Sequence, residues 1–86
     1  MPVHRTARDE AHLSVVRRFL AGLSHDRPSP QELAAWVQFC YRHEAYDEAA
    51  QLFVLIDPRG VDGGWYRRLR RIAAVCLIRA AEESSS

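Results

Sequence analysis

Lysine is missing altogether from this chain. All twelve of its basic residues are arginine, a bias that reflects a GC-rich coding sequence more simply than any function. Also missing is any uninterrupted apolar run near the roughly 18–20 residues of a membrane span, so no transmembrane segment is expected. The first residues, Met1-Pro2-Val3-His4-Arg5, have no apolar core of the signal-peptide type, and the expected compartment is the cytoplasm. Cysteine is scarce, with only Cys40 and Cys76. Both fall at apolar positions of helical patterns, where a free thiol behaves as a small hydrophobe, and a disulfide between them is the minor alternative.

Several chemistries lack their residues. Cys40 and His43 lie three apart on one helical stretch, but two ligands are not a metal site, and His4, His12 and His25 have no matching spacing. The reading for that pair is a buried thiol and an exposed imidazole. No glycine-flanked serine occurs in a strand–turn–helix setting, so no hydrolytic triad is expected. Gly60, Gly63 and Gly64 miss the spacing of a phosphate loop and have no lysine to follow them, which leaves them a turn. No catalytic residue, metal, cofactor or small-molecule substrate is expected.

What is present suits a small helical domain. At 86 residues with 48% hydrophobic content the chain folds as one unit, residues 1–86, with 1–5 and 82–86 as disordered ends. A chain of this length hides only about 60–65% of its unfolded surface, so its stability margin is thin and a partner that buries more apolar surface helps it. The formal net charge of +1 argues against nucleic-acid binding by bulk electrostatics.

The expected fold class is all-α, with three to four short antiparallel helices. Thr6 is a candidate N-cap, followed by Asp9 and Glu10 at the favourable end of the dipole, and Leu13, Val16, Leu20 and Leu23 form the buried stripe. Ser29-Pro30-Gln31-Glu32 opens the second helix as a capping box with proline at its first position. Leu33, Trp36, Val37, Cys40 and Tyr41 fill its inner face. Glu44-Ala45 is a tight turn, and the third helix, about 46–56, sends Tyr46, Ala49, Phe53 and Ile56 inward, with Ala49 and Ala50 small enough for close approach of the backbones. Asp57-Pro58 stops it. Asp62 caps a last helix of about 65–81 with Trp65, Leu69, Ile72, Ala73, Cys76 and Ala80 inward and Leu77 beside them, while Val75 and Ile78 lie on a second apolar face.

Residues 29–58 resemble one tetratricopeptide repeat, a two-helix unit of about 34 residues. Leu33 and Trp36 stand where that family has its first large residues, Tyr46 matches the aromatic opening the second helix, and Ala49 and Phe53 keep its A-x-x-x-F spacing. Val37 replaces the usual small residue and Glu44 the usual turn glycine. More narrowly, Tyr46-Asp47-Glu48-Ala49, Phe53, Leu55 and Asp57, then Trp65-Tyr66, resemble a segment of the tetratricopeptide-like chaperones of bacterial type III secretion, over about residues 33–69.

That resemblance implies one helical hairpin flanked by a helix on each side, working as half of a heterodimer or around a helix of a secretion subunit or co-chaperone, and preventing early assembly. By helical phase, the partner-facing residues it implies are Gln38, Tyr41 and Arg42, with Arg67, Arg71 and Ala74 on the last helix. Two readings stand beside it. The cluster Trp65-Tyr66-Arg67-Arg68-Leu69-Arg70-Arg71 is a solvated face first, an acidic-partner contact second, and a surface for nucleic acid (DNA or RNA) or an anionic membrane third. A homo-oligomer paired through Val75 and Ile78 is the third reading.

Overall fold

The computed structural model describes residues 5–85, so 1–4 and 86 of the expected loose ends lie outside it. The described residues form four α-helices and one short 3-10 turn, without strands: α1 (Ala7–Leu20), α2 (Pro30–Arg42), α3 (Tyr46–Phe53), the turn Pro58–Gly60, and α4 (Gly63–Ser85).

Local chemistry sets the starts of three of these helices. Thr6 and Asp9 close a full capping box on α1. The Asp9 N–H donates to Thr6 Oγ1 at 3.2 Å, and the Thr6 N–H donates to Asp9 Oδ2 at 3.0 Å. On α2 the Glu32 N–H donates to Ser29 Oγ at 3.2 Å, but the Glu32 carboxylate does not return to the Ser29 N–H. It accepts instead from the Ser29 hydroxyl at 3.4 Å, so the expected box is only half formed. Asp62 caps α4, accepting from the Trp65 N–H at 3.0 Å.

Two helices end in the same left-handed closure. After α1, Gly22 has φ +76°, with Leu23 N–H bonded to Arg18 O at 2.9 Å and Gly22 N–H to Phe19 O at 3.0 Å. After α2, Ala45 N–H reaches Cys40 O at 2.8 Å and Glu44 N–H reaches Tyr41 O at 3.2 Å. Both are Schellman motifs, in which a residue of positive φ lets the chain turn back over the last carbonyls. In the second that residue is Glu44, at φ 59°, where an L side chain is strained.

α3 is shorter than its apolar pattern. The chain leaves the helix at Val54 through i→i+3 bonds from Leu55 to Leu52 and Ile56 to Phe53, because the residue before Pro58 is driven to extended backbone. Ile56 nonetheless stays buried. α4 is longer than expected: residues 82–85 continue the helix rather than forming a disordered tail. The reason is local, since Ala80, Ala81, Glu82 and Glu83 are strong helix formers.

The core gathers around α3, which packs against α2 and α4 most extensively and against α1 as well. Ala45, Ala49, Ala50 and Leu52 are buried, facing Leu33, Ala34, Val37 and Cys40 on α2, Leu69, Ala73 and Cys76 on α4, and Leu13 and Val16 on α1. The alanines keep the helix axes close. α1 meets α2 through longer side chains, with His12 stacked on Phe39 at 4.1 Å and Phe19 edge-on to Trp36 at 5.4 Å. Three inward assignments change. Ala34 takes the buried place expected for Tyr41, which is exposed; Leu23 projects from the end of α1; and Leu77 stands outside α4. Both cysteines are free and buried, and burial pushes the Cys40 thiol up to about 12 and the Cys76 thiol to about 11.

Both closures are expected to favour glycine at the left-handed position. Glu44→Gly relieves left-handed strain of about 1–2 kcal/mol and loses part of it to the unfolded-state freedom of glycine, so the urea midpoint rises by the equivalent of about 0.5 kcal/mol. At Gly22 a Cβ meets open space, so the cost of Gly22→Ala is conformational alone, a loss of about 1 kcal/mol.

Candidate functional site

A groove of about 480 Å³ lies between α2 and α4, lined by Gln38, Trp65, Arg68, Leu69 and Ile72. Its construction follows from the caps. Asp62 sets the start of α4 so that Trp65, Leu69 and Ile72 recur on one side of that helix, and Leu69 is sealed into the core while Trp65 and Ile72 remain half-buried at the floor. Gln38 and Arg68 supply polar heads on opposite sides. The surface is apolar at its base and polar at its rim, a form that suits the apolar face of a helix.

Of the six residues assigned by phase, Gln38 lines this groove. Tyr41 is exposed at the far end of α2 with its ring edge-on to Tyr46 at 6.3 Å, and Arg42 is exposed next to it. Arg67, Arg71 and Ala74 are exposed on the outer side of α4, one helical position away from the groove side that carries Arg68 and Ile72. In sequence Arg68 belongs to the charge cluster, and its place in the groove lining is what marks it as a groove residue.

The arginine-rich turn of α4 splits by environment. Tyr66 stacks against Phe53 at 5.3 Å and Leu69 is buried, so the aromatic and apolar members belong to the α3–α4 seam. Arg67, Arg68, Arg70 and Arg71 are exposed, and none takes part in an ion pair among the described residues. Arg67 Nε donates to Gly63 O at 3.3 Å. Elsewhere, Arg17 Nε donates to Glu48 Oε2 at 3.0 Å, joining α1 to α3.

A second polar cluster sits where α1 crosses the end of α2. His43 is largely covered rather than exposed as expected: its ring lies 4.5 Å from Phe39, its Nδ1 is buried without a hydrogen-bond partner, and its Nε2 is 3.8 Å from Asp9 Oδ1. Arg5 donates to the His43 carbonyl, tying the approach to α1 onto the α2–α3 turn. The sequence spacing of Asp9, His12 and His43 gave no sign of this meeting, because it depends on how two helices cross. Among the described residues no three His, Cys, Asp or Glu side chains converge as metal ligands. Likewise no helix there is long and apolar enough to cross a membrane.

Comparison with protein-family models, with curated proteins and with solved structures finds no match to this chain.

The Asp9 carboxyl is held below its ordinary value of 3.8, first by the hydrogen bond from the Thr6 backbone, then by the Thr6 hydroxyl and the nearby His43 and His12. A lowered folded pKa gives stability that is present above the unfolded value and lost as pH falls through the folded one. Thermal stability is therefore expected to fall on acidification below about pH 3.8. Asp9→Asn should flatten that acid limb in melts followed by circular dichroism.

Proposed function

We propose that this chain is a cytoplasmic helix-binding chaperone or adaptor, whose α2–α4 groove receives an amphipathic helix of a type III secretion subunit and keeps it from assembling early. The observation that carries the helix-binding part is the groove itself. Its floor of Trp65, Leu69 and Ile72 offers an apolar seam, and its rim of Gln38 and Arg68 offers a hydrogen-bonding amide and a cation for the polar flank of an incoming helix. The choice of client rests on the resemblance of Tyr46-Asp47-Glu48-Ala49, Phe53, Leu55, Asp57 and Trp65-Tyr66 to the chaperones of that system. A four-helix chain with so small a core gains from such a partner, since whatever binds only the folded form stabilises it.

Co-expression with a needle or translocator subunit should yield a complex of fixed stoichiometry. Ile72→Glu, at the groove floor, should weaken it by at least about tenfold, a loss of roughly 1.4 kcal/mol or more. Val54→Glu, on the far side between α1 and α3, should leave it unchanged. A stable monomer that ignores every secretion subunit would sink the reading.

One observation favours a second reading as a nucleic-acid-binding regulator: four exposed arginines within five residues of α4 lack a carboxylate partner among the described residues. Phosphate binding through them would weaken steeply with salt and vanish when Arg67, Arg68, Arg70 and Arg71 are replaced. Absence of a gel shift at low salt removes it.

A further inference from the structure

α4 has two apolar faces, and only one is used by the core. Leu69, Ala73 and Cys76 point inward and are buried. At heptad spacing on the outer side stand Ala74, Leu77 and Ile78, with Ala81 at the same phase one turn on, and all four are exposed. Leu77 and Ile78 each keep 60% of their surface open and together make an exposed aliphatic patch on α4. Toward the N-terminus the same side carries Arg67, Arg70 and Arg71. Toward the C-terminus it is flanked by Glu82.

We propose that this face is a homodimer interface, in which α4 packs antiparallel against α4 of a second copy about a two-fold axis passing between Leu77 and Ile78. Charge selects both the occupant and the direction. A parallel pair sets arginine against arginine along half of the seam. The antiparallel pair sets Arg71 within two residues of the level of the second copy's Glu82, about 3 Å along the helix axis, and brings its arginines beside the carbonyl end of the neighbouring helix. The Arg79–Glu82 contact at 3.7 Å is exposed and weak, so Glu82 can exchange partners at little cost.

Shape agrees with charge. The two-fold places Leu77 against Ile78 at the centre and Ala74 against Ala81 at each flank, large residues in the middle and small ones where the axes must stay close. The α2–α4 groove opens on the other side of the helix, at Arg68 and Ile72, so a dimer leaves two grooves accessible. The interface and the proposed helix-binding function therefore stand or fall separately.

Sedimentation of the full chain over a wide concentration range should show a reversible monomer–dimer equilibrium. The double substitution L77E/I78E should leave only monomer, with unchanged helical circular dichroism because both side chains are already exposed. Arg71→Glu should weaken the dimer, and adding Glu82→Arg should restore it. For direction, chains carrying Ala74→Cys mixed with chains carrying Ala81→Cys should cross-link under oxidation faster than either alone. A monomer at every concentration, a dimer indifferent to L77E/I78E, or Ala74→Cys chains that cross-link best to themselves would each overturn the proposal. Ile72→Glu should leave dimerisation intact.

Discussion

The close packing of α3 between its neighbours is the contact on which the rest of the molecule depends. A helix of eight residues is too short to persist alone in water, where nucleation costs outweigh so few hydrogen bonds. It exists because Ala45, Ala49, Ala50 and Leu52 are enclosed by α2, α4 and α1 together. The reverse also holds: α1 and α4 have their contacts with the hairpin largely through this short element, so a side chain larger than alanine at position 49 would push on two helices at once.

This economy explains the surfaces. With the small residues committed to one tight seam, the larger apolar side chains are left on the flanks. Trp65 and Ile72 floor a groove, Val54 and Leu55 stand open beside α1, and Leu77 and Ile78 project from the outer side of α4. They remain as surfaces on which another helix can be laid, whether from a client or from a second copy.

The absence of lysine shapes the polar side in the same way. Arginine stems can lie along apolar surface while the guanidinium stays in water, and α4 carries four within five residues without an ion-pair partner among the described residues. Their place near the positive end of the helix dipole is unfavourable to cations. That cost makes the negative end of a neighbouring helix, or an acidic rim on a bound one, a natural complement.

The sequence by itself determined the elements and their punctuation. Thr6, Ser29 and Asp62 mark helix starts through side-chain to backbone bonds that span three residues, and Gly22 and Pro58 mark stops through backbone geometry; these are local effects, legible from neighbours in the chain. What only the tertiary structure decided is rotation and crossing. One residue along a helix turns a side chain by 100°, and α2 and α4 carry apolar groups around most of their circumference, so phase alone could not separate Ala34 from Tyr41 or Arg68 and Ile72 from Arg67 and Arg71. Packing against α3 made that choice, and the crossing of α1 over the end of α2 brought Asp9 to His43, a contact between residues 34 positions apart that no local rule encodes.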